Sequence, residues 1–289
     1  MRVKDFPPGW RTDFLLHRFG AEVRELPDCV VVRTPGHEGY YWGNCLMIPQ
    51  APADADLAHW LQRFDEEVAA GRPGVRHVAI GVAGPPPPEG ALPGWAAAGF
   101  ELMETATLRL RAGKLRGPAP PSAAPLALRR LDFADAGLVA SHVALQSADP
   151  QGHEPDGYRR FRERQMARFA QVRAAGLGDW FGLWCDNTLV ADCGMLYDGM
   201  LGRFQNVLTH PDWRRRGLCR ALVHEVCRQG FEVRGLQELL MCADPDDIAI
   251  GIYESLGFQR FDREWGLQRN PPEDEGARRS VRLGGAKGA

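Results

Sequence analysis

The stretch "NVLTHPDWRRRGLCRALVHEVC", Asn206 to Cys227, decides the fold, because it reads as a strand, a turn and the opening of a helix. Pro211 and Asp212 end the strand. Leu218, Ala221, Leu222 and Val226 then recur at helical spacing and predict a buried face. Gly217 stands at the junction, where the lack of a Cβ allows φ > 0 and a close approach of a ligand to the backbone. A helix start exposes unpaired N–H groups and the positive end of the dipole. Arg214, Arg215 and Arg216 would repel that end unless something negative lies between them. The N–H groups of residues 215–220 would face one concavity, an anion cradle, with guanidinium groups as counter-charge for a polyphosphate. The competing reading is a solvated basic run, the commoner fate of short arginine clusters. Gly217 and the strand-turn-helix setting favour the cradle.

The totals make any such site local. The 289 residues carry a formal net charge of -2, so wholesale attraction to nucleic acid or an anionic membrane is not expected. Hydrophobic residues at 44% and charged residues at 25% match ordinary globular usage and allow a normal core in each of about two domains. The seven cysteines form an odd set without a C-x-x-C pair, which predicts reduced, buried thiols and no metal site. The N-terminus "MRVKDFPPGW" has no apolar leader region, and no run approaches the ~18 apolar residues of a membrane span. The expectation is a soluble, cytoplasmic chain, monomer or homodimer, without nucleic-acid or membrane partners.

"GKLRGPAPPSAAP", Gly113–Pro125, has four prolines, two glycines and no periodicity, so it reads as a linker. It separates a domain at 1–112 from one at 126–270, and the polar, Gly-rich 271–289 reads as a disordered tail. In the second domain the patterns predict strand "LALRRL", helix "DFADAGLVASHVALQSA" capped by Asp132 or Asp135, and a basic helix from Pro155. Then come a "DWFGLWC"/"TLVADCGMLY" hairpin, strand "LGRFQNVLT", the helix after Gly217, strand "LQELLMCA", a short helix "DDIAIGIYESLG" and a final strand pair around "FQRFDREWGLQR". The first half predicts strands "CVVVRTP" and "YYWGNCLMIP", an amphipathic helix with Leu57, Trp60, Leu61 and Phe64 on one face, strand "VRHVAIGVAG", short helix "PGWAAAGF" and strand "ELMETATLRL". Both halves end on an aromatic, three residues, Gly-Phe and a strand, a weak internal repeat. The class is α/β.

At this point the residues resemble a family. Arg214-x-x-Gly217-x-Cys219, following Val207-x-x-x-Pro211, looks like the acyl-CoA pyrophosphate loop (R/Q-x-x-G-x-G/A) of the GNAT superfamily of N-acyltransferases, with cysteine where glycine or alanine is usual. "DDIAIGIYESLGF" resembles the same family's second motif, with Asp246 for asparagine and then Ala249, Ile252, Tyr253, Gly257 and Phe258. The resemblance covers roughly residues 126–268 on a domain-length prior. The amino half resembles a degenerate copy that keeps Trp95-x-x-x-Gly99-Phe100 but lacks the Arg-Gly loop, so it should not bind CoA. The resemblance thus implies two GNAT-like domains, each a mixed, mostly antiparallel twisted sheet flanked by helices, with the catalytic sheet splayed.

It also implies roles. Val207, Leu208 and Thr209 would pair with the pantetheine arm of acetyl-CoA. Arg214, Arg215, Arg216, Gly217, Leu218, Cys219 and Arg220 would hold its pyrophosphate, with Asp246 nearby. Tyr253 would serve as general acid to the departing thiolate, the alternative being a core aromatic. Asp246 reads equally as a helix cap, and Cys219 as a packing residue. Where related enzymes place a glutamate base this chain has Met241; Asp192, His210 and Glu154 are candidate proton acceptors, and a water chain or an already neutral amine would also serve. The loop around His153 and Glu154 lies where the family contacts its acceptor. The implied activity is acetyl transfer from acetyl-CoA to a primary amine, on a small molecule or a peptide, by direct attack. The alternative is a non-catalytic acyl-CoA-binding or regulatory module.

Overall fold

In the computed structural model, which describes residues 1–117, 125–150, 152 and 154–271, these patterns resolve into two compact units. The first comprises Met1–Thr105 with the described parts of Gly152–Glu154 and Arg263–Leu283; the second comprises chiefly Ala106–Gln151 and Pro155–Asp262. Residues 118–124 of the expected linker, His153 and the tail from 272 onward lie outside the described residues. Among the described residues no helix is long and apolar enough to cross a membrane.

The first unit opens with α1 (Pro8–His17) and β1 (Glu22–Glu25), two elements that the sequence patterns did not signal. Then follow β2 (Val30–Arg33), β3 (Cys45–Ile48), α2 (Leu57–Phe64), β4 (Val78–Val82), α3 (Pro93–Ala97) and the start of β5 (Glu101–Arg111). The strand expected over "YYWGNCLMIP" begins only at Cys45. The Asn44 side chain ties the preceding loop by donating to the carbonyls of His37 (3.0 Å) and Tyr40 (2.8 Å) and accepting from the Thr34 amide (2.8 Å). β3 and β4 are parallel, from Leu46↔Ile80 to Ile48↔Val82, and β1, β2 and β3 pair antiparallel. Val31, Leu46, Ile80, Phe64 and Trp95 build one core, with Leu57, Trp60 and Leu61 of α2 against it as their spacing predicts.

One buried titratable group gives this unit a pH dependence. His77 is 2% exposed, stacks on Tyr41 at 3.9 Å and places Nε2 3.0 Å from the Asn44 carbonyl. Burial lowers its pKa from 6.5 to about 4, against a smaller opposing pull from that carbonyl. The folded pKa lies below the unfolded one, so the unfolded chain binds more protons in between. The contribution is complete above pH 6.5 and is lost as pH falls toward 4, to the order of 3 kcal/mol. Calorimetric scans between these pH values should show the midpoint falling, and His77→Gln should flatten that decline.

The second unit contains the end of β5 and then β6 (Leu126–Arg130), α4 (Ala136–Ser147), α5 (Pro155–Ala174), β7 (Gly178–Cys185), β8 (Thr188–Asp198) and β9 (Leu201–Thr209). α6 (Leu218–Arg228), β10 (Glu238–Ala243), α7 (Ala249–Ser255) and the start of β11 (Gln259–Arg269) complete it. Its sheet runs β5-β10-β9-β8-β7-β6, antiparallel except for the parallel pair β9/β10. Asp135, not Asp132, caps α4, accepting from Gly137 (2.8 Å) and Leu138 (3.0 Å). The β7–β8 hairpin turns through Asp186 at φ 54°. Leu218, Ala221, Leu222 and Val226 of α6 are buried against the sheet, as their spacing requires.

Two strands change units along their length: β5 leaves the first after Thr105, and β11 enters it at Arg263. The expected final strand pair is one continuous strand of 11 residues. Its end pairs antiparallel with β4, from Trp265↔Val82 to Arg269↔Val78, and Trp265 and Leu267 join the first unit's core. Each unit therefore draws a strand from the other half of the sequence.

The weak repeat is a repeat of cap geometry. After α3, Gly99 takes φ 82° and the Phe100 amide donates to the Trp95 carbonyl at 3.0 Å. After α7, Gly257 takes φ 103° and the Phe258 amide donates to the Tyr253 carbonyl at 3.1 Å. The left-handed glycine ends the helix and the aromatic–Phe pair locks it to the following strand.

Candidate functional site

β9 pairs with β10 only at Leu201, Gly202 and Arg203. Beyond Arg203, among the described residues, no ladder joins the two strands, while β9 stays paired with β8 as far as Thr209↔Ala191. A bulge sits at the point of divergence: the register steps from Gly194↔Gln205 to Asp192↔Leu208, and Asn206 takes the left-handed φ of 49°. An extra residue bends a strand and strengthens its twist. Gln146 of α4 holds the bulge through Nε2, 3.0 Å from the Asn206 carbonyl. Among the described residues, the backbone edge of Val207, Leu208 and Thr209 on the β10 side thus has no neighbouring strand. Beside it, Asn206 Nδ2 and Thr209 Oγ1 are buried without hydrogen-bond partners.

Past β9 the chain makes a short turn, Pro211–Trp213, in which His210 Nδ1 accepts from the Asp212 amide at 3.2 Å. Arg214 is extended, Arg215 is left-handed at φ 62°, and Gly217 is left-handed at φ 73°. α6 begins at Leu218 with no side-chain cap at Gly217, and the Ala221 N–H donates to the Gly217 carbonyl at 3.0 Å. Alternation of backbone hand turns successive N–H groups toward one side and makes an anion-binding concavity. A non-glycine residue at φ 62° costs about 1–2 kcal/mol, which marks Arg215 as strained.

The arginines are not equivalent. Arg214 is held inward by Asp149 (3.0 Å) and the Thr209 carbonyl (3.4 Å). Arg216 lies over the Trp213 ring at 4.8 Å and donates to the Asp212 carbonyl at 3.1 Å. Arg220 reaches Ser255 Oγ at 3.4 Å across to α7. Arg215 and Arg216 are exposed beside the exposed Gly217. Leu218 and Cys219 turn into the core. Burial, and then the Asp247 carboxylate, push the Cys219 thiol up to about 12, so it stays protonated and packs.

Tyr253 is fully buried, 0% exposed, and its hydroxyl has no hydrogen-bond partner. Burial first, then the Cys219 and Asp247 groups, hold the phenol well above its ordinary range. Its counterpart in the repeat behaves differently, since Trp95 donates from Nε1 to the Ala53 carbonyl at 3.1 Å. In that unit the chain's own carboxylates take backbone amides just before α2 and at the start of α3, while α2 itself has no side-chain cap at Asp56. Asp56 accepts from the Ala53 amide (2.8 Å) and Asp54 from the Gly94 amide (2.9 Å), while β3 and β4 stay paired to their ends.

Asp192 is 0% exposed and both its oxygens are occupied. Oδ2 accepts from His142 Nδ1 (2.8 Å) and Trp180 Nε1 (2.9 Å), and Oδ1 from Gln146 Nε2 (2.5 Å). Three donors satisfy the buried charge, and they direct the carboxylate at His142 rather than at an incoming molecule. His142 and Gln146 come from α4 and Trp180 from β7, so nothing in the local sequence marks them as a set. Helical spacing of His142 and Gln146, four apart, was the one available signal.

The other candidates disperse. Met241 is buried in the core and Glu154 is exposed. Asp246 is exposed, and its amide donates to Asp244 Oδ1 at 3.1 Å. The cap at α7 is made by Asp247 instead, whose Oδ1 accepts from the Ala249 amide at 2.8 Å.

Residues 182–266 match the family model described as FR47-like protein. Among solved structures, a functionally unknown conserved protein from Staphylococcus epidermidis ATCC 12228 is similar with a TM-score of 0.68 at 12% identity, covering 88% of this chain and 95% of its own. A GCN5-related N-acetyltransferase from Kribbella flavida matches with a TM-score of 0.60 at 17% identity, covering 92% of this chain and 98% of its own. A tandem GNAT protein from the clavulanic acid biosynthesis pathway matches with a TM-score of 0.54 at 14% identity, covering 91% of this chain and 89% of its own. The chain therefore has the α/β fold of the GCN5-related N-acetyltransferases over most of its length, with an FR47-like region at 182–266.

Proposed function

We propose that this chain is an N-acyltransferase that moves an acetyl group from acetyl-CoA to a primary amine by direct attack, without a covalent enzyme intermediate. The observation that carries this reading is the uncapped, left-handed entry to α6, set directly beyond a strand whose inner edge has no partner. The N–H groups of residues 215–220 would take the diphosphate, with Arg215, Arg216 and Arg220 around it and Arg214 fixing the loop. The edge of Val207, Leu208 and Thr209 would pair with the amides of the pantetheine arm, as an added strand does. Leu218 and Cys219 contribute main-chain N–H groups while their side chains pack. Asp246, exposed just before α7, would stand beside the bound coenzyme. The first unit, which lacks the Arg-Gly loop and keeps β3 and β4 paired to their ends, serves architecture rather than CoA binding.

Acetyl-CoA supplies an activated thioester; the chain must orient it, accept a proton from the amine and return one to the thiolate. The Tyr253 hydroxyl is the donor in this reading, because burial keeps it protonated at neutral pH and no nitrogen or oxygen of the protein accepts its proton. The proton acceptor in this reading is His142, with Asp192 holding its Nδ1–H and so setting the tautomer, rather than Asp192 itself.

Acetyl-CoA titrated calorimetrically into the intact chain, followed by thiol release with a panel of primary amines, tests the assignment. Binding with release supports it. Binding with no release for any amine favours a non-catalytic acyl-CoA-binding module, a reading that the apolar Met241 also fits. Tyr253→Phe is expected to lower kcat by about 10- to 100-fold and leave acetyl-CoA affinity within about twofold. Its melting temperature should hold or rise, since the change removes a buried hydroxyl without a partner. Equal turnover would return Tyr253 to the core.

A further inference from the structure

α5 buries a stripe of Tyr158, Arg162, Gln165, Met166, Phe169 and Val172. Phe169 meets the Trp180 ring of β7 at 4.6 Å, so the stripe faces the sheet; the polar residues buried on this helix are Arg162, Gln165 and Arg168, and Arg162 is the one whose surroundings call for explanation. Arg162 is only 8% exposed. Its guanidinium meets neutral groups: one terminal nitrogen donates to Gln165 Oε1 at 2.7 Å and the other to the Tyr158 hydroxyl oxygen at 2.5 Å. Its Nε is buried without an acceptor. The rings of Tyr158 and Phe161 lie 4.9 and 5.7 Å from its central carbon. Among the described residues no carboxylate stands within ion-pair distance of it. Two more exposed arginines of the same helix do have such partners, Arg159 with Glu163 at 3.2 Å and Arg173 with Asp179 at 2.9 Å.

That distribution inverts what electrostatics favours. An exposed guanidinium gains little from a carboxylate, whereas a buried one without an anion carries a desolvation cost that Gln and Tyr oxygens and ring faces offset only in part. A buried, aromatic-flanked fork with spare N–H donors is arranged for an anion that arrives from outside, and its planar geometry matches a carboxylate held by two parallel bonds. α5 packs on α4, the helix whose His142 and Gln146 reach Asp192 and the Asn206 bulge, so such an anion would lie one helix away from the proposed reaction centre.

We infer that Arg162 binds a carboxylate of the acceptor, so that the acceptor is an amino-acid-like molecule bearing a primary amine and a carboxylate. This rests on the acyl-transfer reading given above and specifies its substrate class. Arg162 acts in binding and orientation, and the amine end of the acceptor is left for the proton acceptor and the thioester.

The test uses matched pairs of amines, an amino acid and its carboxamide, with the intact wild-type chain and saturating acetyl-CoA. The acid is expected to show a kcat/KM about tenfold or more above the carboxamide. Arg162→Gln should raise KM for the acid by about 10- to 100-fold, leave the carboxamide unchanged and leave acetyl-CoA affinity unchanged. Arg162→Lys, which keeps the charge but not the fork, should fall between. Thiol release that is equal for acid and carboxamide in the wild type overturns the inference while the transfer reading stands. An Arg162→Gln loss that is the same for both members of a pair likewise reduces Arg162 to a structural role. Should Arg162→Gln not fold, the wild-type preference decides alone. No release with any amine overturns the transfer reading and this inference together.

Discussion

Acetyl-CoA titrated into a Gly217→Glu variant is expected to give no measurable heat, a loss of about 100-fold or more in affinity. Gly217 is exposed at the entry to α6 with φ 73°, and no side chain caps the helix there. A glutamate would put its carboxylate where the diphosphate is to lie, satisfy the free N–H groups itself and add like-charge repulsion. The backbone hand adds strain of about 1–2 kcal/mol for any L side chain. Gly217→Ala carries that strain without the charge, so it should keep most of the affinity while its unfolding free energy falls by about 1–2 kcal/mol. Circular dichroism establishes that each variant is folded before titration. Unchanged affinity in a folded Gly217→Glu variant would falsify the diphosphate assignment.

A chain ending at Asp262 is expected to lose the cooperative unfolding of its first unit. Trp265, 1% exposed, fills that unit's core with Leu267, and its Nε1 donates to the Gly84 carbonyl at 2.7 Å. The same segment supplies the antiparallel neighbour of β4. Removing it takes two large side chains from the core and leaves a row of unpaired N–H and C=O groups on an apolar strand, an invitation to aggregation. Trp265→Ala alone should cost about 3–5 kcal/mol, a large share of the 5–15 kcal/mol typical of a whole domain. A fragment of residues 1–112 has the same deficit and should lack a dispersed amide spectrum by NMR. A sharp, reversible melt of that fragment would show that the last strand is dispensable.

These two results probe features with different origins. The Gly217 loop was legible because its signals are local. Apolar spacing, a proline and a glycine within about 20 residues specify a strand, a turn and a helix wherever they occur. The aromatic-x-x-x-Gly-Phe ending was legible for the same reason, since the bond from the Phe amide to the aromatic's carbonyl spans five residues in both copies. Asp192 stood out in the sequence only as an acid in an apolar strand. What it does is set by three donors drawn from 12 to 50 positions away, and none of these separations leaves a trace in spacing.

The sequence by itself determined the α/β class, the order of strands and helices around Gly217, and the presence of a glycine-marked, basic helix entry. Hydrogen bonds between near neighbours and the period of apolar residues decide those features before distant parts of the chain meet. Only the tertiary structure decided where β9 parts from β10, that β11 ends in the core of the first unit, and that Tyr253 keeps a hydroxyl without a partner where Trp95 has spent its N–H on Ala53. It alone also left Arg162 buried among neutral groups. Each of these depends on which remote atoms fill the space around a side chain or beside a strand edge, and that is fixed by packing rather than by the order of neighbouring residues.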